Sequence, residues 1–143
     1  MIIGFTGTRR GMTPEQESDT EYWLARLEFR AQEFHFGDCI GADQQAAKLA
    51  RKLGYSLHCH PPDNDRFRAF VKSDVLYEAR PYLARNHDIV IASTLLIAAP
   101  GSQTEQRSGT WATIRYAKRS GRRFIILPSR APGCGFRLEQ DGN

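Results

Sequence analysis

The chain of 143 residues contains few cysteines and no long apolar run. Its three cysteines, Cys39, Cys59 and Cys134, are an odd number without paired spacing, which argues against a disulfide framework and favours a reducing compartment. The longest apolar runs, DIVIAS and TLLIAAP, are far shorter than the ~20 residues of a membrane-spanning helix, and no signal-peptide pattern is present. These absences predict a soluble, cytoplasmic protein with no membrane partner.

The sequence also lacks two familiar nucleotide-binding fingerprints. Gly4, Gly7 and Gly11 do not form G-x-G-x-x-G, and there is no G-K-[ST], so neither a dehydrogenase nor a Walker-type ATPase is indicated. No cofactor is predicted. No metal is predicted either, because His58 and His60 share one face of a predicted strand but a structural zinc site usually takes four ligands.

Five short apolar runs predict β-strands. They are MIIGF, EFHFGD, YSLHCH, TLLIAAP and RRFIILP. After the first run, Thr13, Pro14 and Gln16 match the pattern of a capping box, in which a hydroxyl and a glutamine satisfy the first amides of a helix. The sequence therefore predicts a helix over about residues 14–31.

Three further helices are predicted between the later strands. The second begins near Asp43, which can serve as its cap, and ends at Gly54. The third runs from Pro81 to about Ile91, because the following TLLIAAP makes the better strand, and the fourth is SGTWATIRYAKRSG. The segment 63–79, before the third helix, is predicted to be irregular.

The alternation of strands and helices predicts an α/β fold, a three-layer Rossmann-like sandwich with a mostly parallel five-stranded sheet. Residues 1–128 are expected to form the domain and 129–143 a loose C-terminal tail. In such sheets the loops after all parallel strands emerge at one edge, where ligands bind. The segments predicted at this carboxyl edge are TGTRR, GDCIGAD, HPP, PGSQTEQRSGT and PSR.

Glycines, hydroxyls and arginines therefore gather at the carboxyl edge of the predicted sheet. Glycines let a ligand approach the backbone, and the free N–H groups at a helix start attract phosphate. With a net charge of +4, this composition predicts a site for an anionic ligand. Arg9 is expected to reach into the site as an anion clamp, while Arg10 points outward along the edge.

Four motifs in this order, GFTGTRR, GDCIGAD, ARN and AAPGSQTEQRSGTW, resemble the SLOG superfamily, named for Smf/DprA and the Lonely Guy proteins. The resemblance spans residues 2–128 and is nearest in pattern to small stand-alone members. It implies a Rossmann-like fold that binds a nucleotide or a nucleotide-derived ligand. Members of the superfamily include phosphoribohydrolases, molybdenum-cofactor carriers, ligand sensors and the single-strand DNA binder DprA.

The resemblance implies a ligand site made by ten residues. They are Gly7, Thr8 and Arg9 in the first loop, Gly41 and Asp43 in the second, Arg85 and Asn86 on the third helix, and Ser108, Gly109 and Thr110 at the start of the fourth. It further implies that Gly109-Thr110 binds phosphate and that Arg85 is catalytic in the hydrolase branch. Asp43 has a plainer interpretation as a helix cap, and the Arg85-Asn86 pair as part of a helix surface.

One departure from the hydrolase pattern P-G-G-x-G-T-x-x-E bears on activity. Thr113 stands where that pattern has its glutamate, which disfavours hydrolysis, although Glu105 in the preceding loop could substitute. The leading hypothesis is accordingly a sensor or carrier that binds a nucleotide-like small molecule and leaves its glycosidic bond intact. A nucleoside-phosphate N-glycosidase is the alternative enzyme.

A single-stranded nucleic-acid binder of the DprA type is the third hypothesis. It predicts a basic groove from Arg9 and Arg10 toward Arg66 and Arg68, flanking Phe67, and binding that weakens strongly with salt. Because SLOG-like domains commonly pair, a homo-oligomer is also expected.

Overall fold

The computed structural model describes residues 1–30, 32–102 and 108–129, together with the backbone of 137–139. Within these residues the chain forms strands and helices in alternation. In chain order they are β1 (Ile2–Gly7), α1 (Pro14–Leu27), β2 (Glu33–Phe36), α2 (Ala42–Lys52), β3 (Ser56–Cys59), a 3-10 turn (Asp65–Phe67), β4 (Val75–Leu76), α3 (Tyr82–Ala92), β5 (Leu95–Ala99), α4 (Gly109–Arg119), β6 (Arg123–Ile126) and β7 (Arg137–Glu139).

These strands form one sheet in the order β4-β3-β2-β1-β5-β6-β7, parallel from β4 to β6 and antiparallel only at β7. The α/β class and the mostly parallel Rossmann-like sheet are confirmed, but the prediction of five strands is wrong. Val75 and Leu76 of β4 are exposed, so pairing with β3, and not an apolar pattern, makes them a strand. The backbone of β7, in the segment 129–143, pairs with β6.

The helices divide between the two faces of the sheet. One core cluster joins Phe34 and Leu57 to the alanines of α2 and to Leu24 of α1. A second cluster joins Leu96 and the facing side chains of β6 to α3 and α4. Strand residues alternate between these clusters, which gives the three layers that the sequence predicts. None of the described helices is long and apolar enough to cross a membrane.

Helix boundaries follow the local signals at most ends. The capping box of α1 is present, since the Thr13 hydroxyl accepts the Gln16 N–H and the Gln16 side chain accepts the Thr13 N–H. The helix ends at Leu27, however, four residues before the predicted end. Beyond the helix, the carbonyl of Arg30 accepts a hydrogen bond from the N-terminal amine of Met1, which directly precedes β1.

The second helix corrects one assignment. Asp43 is not its cap, because α2 begins after Gly41 and the Asp43 side chain makes no capping bond. Helix α2 ends at Lys52, and Gly54 follows with a φ of 90°, as predicted for the residue that terminates it. The third helix, which includes Ile91, is also as predicted.

Candidate ligand-binding site

A cavity of about 360 Å³ opens at the carboxyl edge of the sheet. Its walls come from the ends of β1 and β2, from α3 and from the start of α4. The chain turns to the opposite side of β1 when it enters β5, so the cavity lies at the switch point where α/β sheets bind ligands. Its volume is at the lower end of the roughly 300–1,000 Å³ of small-molecule sites.

Nine of the ten residues predicted for the site line this cavity. They are Gly7, Thr8, Arg9, Asp43, Arg85, Asn86, Ser108, Gly109 and Thr110. These residues come from four separate stretches of sequence, so the tertiary structure brings together what the sequence only places at similar strand ends.

The tenth residue, Gly41, has a supporting position instead. Its φ of 89° favours glycine, and a Cβ there would clash with the Arg9 carbonyl. Gly7 also has a packing reason, because its Cβ would lie 2.5 Å from the Cβ of Ala42. The first loop is fixed further by two bonds of 3.0 Å, from Thr8 N–H to the Ala99 carbonyl and from Ala42 N–H to the Thr8 carbonyl. Both glycines thus hold the first loop against α2.

The start of α4 has the geometry of an anion seat. Ser108 caps the helix, since its hydroxyl accepts the Trp111 N–H at 3.2 Å. The amides of Gly109 and Thr110 belong to the first turn, where no carbonyl of the helix can accept from them. Among the described residues, a Cβ on Gly109 would meet only the Tyr82 ring, at 3.6 Å. Such amides and the positive end of the helix dipole favour phosphate or carboxylate.

Arg85 forms the inner wall of the cavity and is only 2% exposed, which excludes its interpretation as a surface charge. Its Nη1 donates to the carbonyls of Gly37 and His60, the latter at 3.1 Å, and its Nε donates to Asn86 Oδ1 at 2.7 Å. A Cβ on Gly37 would lie 2.6 Å from Nη1, so glycine makes room for the guanidinium. The arginine is therefore a fixed positive charge whose orientation the backbone sets.

Asp43 brings a carboxyl group to the same cavity and is 5% exposed. It accepts the Cys39 N–H at 3.2 Å. Burial raises the pKa of Asp43 to about 6, against the opposing attraction of the Arg85 guanidinium. The site thus holds a carboxyl group that titrates close to neutral pH.

The sequence predicts Asp43 for the site, but not as the acid that hydrolysis needs, because the hydrolase motif has its glutamate at the position of Thr113. Thr113, at the motif position, is buried and its hydroxyl donates to the Gly109 carbonyl at 2.9 Å. Glu105, the suggested substitute, lies outside the described residues. Asp43 lies in the first turn of α2, which follows the second strand and which parallel topology brings to the same edge.

The two adjacent arginines both line the cavity, so the expectation that Arg10 points outward is wrong. Arg10 reaches across the mouth, with its Nη2 3.5 Å from the Gly101 carbonyl. The Arg9 guanidinium lies 4.0 Å from the centre of the Phe67 ring, and that of Arg66 lies 4.9 Å from the same ring. The Phe67 ring therefore contacts the guanidinium groups of both Arg9 and Arg66 beside the cavity.

The predicted basic groove does not extend equally to Arg68. Its Nε lies 2.8 Å from Oδ2 of the buried Asp38, so its charge is compensated. The basic surface beside the cavity is thus Arg9, Arg10 and Arg66 with Phe67.

Cys39 and Tyr82 complete the inner wall, and neither was among the predicted site residues. The Cys39 thiol lies 3.1 Å from the Tyr82 hydroxyl and 3.8 Å from Arg85 Nη2. Burial and the neighbouring charge of Asp43 raise the pKa of the Cys39 thiol, which argues against a nucleophilic thiolate. Tyr82 precedes Arg85 by three residues on α3, a spacing that places both on one face.

Cys59 is buried and free, like Cys39. Cys134 lies outside the described residues.

No family model and no curated protein matches the chain. Solved structures do match it. The molybdenum cofactor binding protein from Rippkaea orientalis aligns with a TM-score of 0.68 at 20% identity, over 87% of this chain and 74% of that one. The molybdenum cofactor carrier protein from Chlamydomonas reinhardtii aligns over the same shares with a TM-score of 0.64 at 20% identity.

DNA processing protein A from Helicobacter pylori, described for its single-stranded DNA binding mode, also aligns with a TM-score of 0.68. It is 21% identical, and the alignment covers 99% of this chain and 69% of that one. The chain has a Rossmann-like fold of the kind that these proteins share. At these identities the likeness shows the fold and does not identify a ligand.

Proposed function

We propose that the chain binds a phosphorylated, nucleotide-like small molecule in the cavity at the carboxyl edge, as a sensor or a carrier. The observation that carries the proposal is the convergence of nine residues from four stretches on one cavity that has an anion seat at one end. The solved neighbours that bind a molybdenum cofactor support a small-molecule ligand of this fold.

The two ends of the cavity suit different parts of such a ligand. The α4 start and the guanidinium groups of Arg9 and Arg10 offer N–H donors to a phosphate. The inner wall offers Arg85, Asn86 and Asp43, which suit the hydroxyl groups of a sugar because they include both donors and an acceptor. The ligand would thus lie with its phosphate outward and its sugar inward.

The test is calorimetric titration with matched pairs of nucleosides and their 5′-monophosphates, after small molecules that co-purify have been identified by mass spectrometry. We expect each phosphate to bind at least about tenfold more tightly than its nucleoside, since a charged hydrogen bond contributes about 1.5–3 kcal/mol. Equal affinity for the two forms would contradict the placement of phosphate on α4.

Hydrolysis of an N-glycosidic bond is a second candidate, and Asp43 is the observation that favours it. With a pKa of about 6, its carboxylate can take a proton from the water that attacks the anomeric carbon as the bond to the base breaks. The same proton then passes to the leaving base, so that water is added across the glycosidic bond and the carboxylate is restored. Chromatography of free base distinguishes the two functions. Multiple-turnover release that is lost in Asp43→Asn would establish the enzyme, whereas no release would support the sensor or carrier.

Single-stranded nucleic acid is a third candidate, favoured by Phe67 between Arg9 and Arg66. An aromatic ring flanked by guanidinium groups can stack with a base and hold the backbone beside it. Fluorescence anisotropy with a labelled oligonucleotide tests this function. It requires binding that falls steeply with salt and weakens in Phe67→Ala, with Phe29→Ala, a change at an exposed phenylalanine that does not line the cavity, as the control.

A further inference from the structure

Three of the four histidines of the chain form a second polar cluster, separate from the ligand cavity. We name His35, His58 and His60 the histidine layer. His35 and His58 are register partners on β2 and β3, and their rings stack with centres 4.5 Å apart. His60, directly beyond β3, lies 5.0 Å from the His35 ring, and the Tyr77 ring stacks on His60 at 4.2 Å.

Two of these histidines face a carboxylate. Glu33 lies two residues before His35 on β2, so both side chains point to the same face. Glu33 Oε1 lies 2.8 Å from His35 Nε2 and 3.7 Å from His58 Nε2. All three residues offer ligand atoms within 4.8 Å of one another. In a tetrahedral zinc site, bonds of ~2.0–2.1 Å place ligand atoms about 3.3 Å apart, so side-chain shifts of about an ångström suffice.

The Nδ1 atoms of His35 and His58 already have hydrogen-bond partners, as the nitrogens of metal-binding histidines that do not contact the metal usually do. His35 Nδ1 lies 2.8 Å from His60 Nε2, and His58 Nδ1 lies 3.1 Å from the Tyr77 hydroxyl. When the Nε2 atoms bind a metal, each Nδ1 carries the proton and donates it to such a partner, which fixes the orientation of the ring. The third histidine and the tyrosine would therefore act as supports and not as ligands.

The two histidines are buried and held in place by packing, whereas Glu33 is partly exposed and leaves the site accessible. His35 and His58 are 2% and 9% exposed, whereas the Glu33 side chain is 38% exposed. A metal ion could enter past Glu33 and meet imidazoles that packing already holds in place. Two imidazoles and one carboxylate suit a first-row transition ion such as Zn²⁺ better than Mg²⁺ or Ca²⁺, which prefer oxygen ligands.

We propose that Glu33, His35 and His58 bind Zn²⁺ or a similar divalent transition ion, with an exchangeable ligand such as water in the fourth position. The sequence analysis considered His58 together with His60 and predicted no metal. The structure instead joins His58 to His35 and Glu33 across two neighbouring strands. This proposal is independent of the ligand that the cavity binds.

The test uses tag-free protein, freed of metal with a chelator and then dialysed against Zn²⁺ in molar excess. We expect one saturable zinc per chain, a higher melting temperature with zinc, and the visible absorption of tetrahedral Co²⁺ when cobalt replaces it. Affinity should fall at least about tenfold in His58→Ala and in Glu33→Gln, because each removes one ligand. Glu33 is exposed enough that the second variant should fold even if the first does not.

The control is His87→Ala, which removes the one histidine outside the layer, stacked on Tyr116. It should leave zinc affinity unchanged. The absence of saturable zinc binding would overturn the proposal. So would binding that both Glu33→Gln and His58→Ala leave intact, since the metal would then lie elsewhere.

Discussion

The ligand cavity and the histidine layer are polar regions of one sheet with opposite charge preference. The cavity presents Arg9, Arg10 and the amides of α4, which favour an anion. The layer presents imidazoles and the Glu33 carboxylate, which favour a cation. The cavity lies beyond the strand ends, where backbone amides are free. The proposed zinc ligands lie on β2 and β3, where the backbone groups pair within the sheet and only side chains can serve as ligands.

The two regions meet at one side chain. Arg85 lines the cavity, yet its Nη1 donates to the carbonyl of His60, a member of the layer. The regions could therefore be coupled through this arginine, or they could be independent sites that share a support. The predictions below separate these cases.

The largest effect is expected for Arg85→Ala. The change leaves the buried carbonyls of Gly37 and His60 without a donor and removes the positive charge beside Asp43, so unfolding free energy should fall by more than about 2 kcal/mol. Urea unfolding measures it. The control is Arg80→Ala, which breaks only the exposed ion pair with Asp88 and should cost less than about 1 kcal/mol. Equal costs in the two variants would refute the structural role of Arg85.

A large and local effect is expected for Gly109→Val. Within the described part of the chain the added Cβ meets only Tyr82, so the fold should persist, but the side chain occupies the space through which an anion approaches the α4 amides. Binding of the phosphorylated ligand should become undetectable by calorimetry, while zinc affinity at the histidine layer stays the same. Joint loss of both affinities without unfolding would show that the two regions are coupled.

An intermediate effect is expected for Arg9→Ala. Loss of one charged hydrogen bond should weaken phosphate binding by about 1–3 kcal/mol. Titrations of Arg9→Ala, Arg10→Ala and the remote, exposed Arg30→Ala compare three equal changes in net charge. Arg30→Ala should have no effect. If Arg10→Ala weakens binding more than Arg9→Ala, then Arg10 and not Arg9 is the main anion clamp.

The last effect is expected for Asp43→Asn and depends on pH. The folded pKa of about 6 lies above the ordinary 3.8, so the folded chain holds this proton more tightly than the unfolded chain. Stability from this group is therefore greatest below about pH 4 and declines as the pH rises to about 6. Asp43→Asn should remove that decline, which at about 1.4 kcal/mol per pKa unit is on the order of 2 kcal/mol between pH 4.5 and 7. Urea midpoints at pH 4.5 and 7 measure it, and parallel pH profiles for variant and parent would contradict the assignment.

Local sequence signals predicted helix ends where a residue type favours one backbone conformation or one capping hydrogen bond. Thr13 with Gln16, Gly54 and Pro81 mark helix ends through hydrogen bonds and dihedral angles that they make themselves, and the structure confirms each. Strand β4 could not be predicted, because its two exposed residues become a strand only by pairing with β3. The same applies to Asp43, which lies in the first turn of α2 and whose burial beside Arg85 no local pattern reveals.

The sequence by itself determined the class of fold and the edge of the sheet at which the candidate site lies. Alternating strands and helices have few ways to bury their apolar faces, and parallel connections bring the glycine-rich loops to one edge. Only the tertiary structure decided which groups meet there and which meet elsewhere. Gly41 supports the Arg9 loop, Asp43 acquires a raised pKa, and His58 faces His35 and Glu33. These outcomes depend on distances between residues far apart in the chain, which packing sets and spacing along the chain does not.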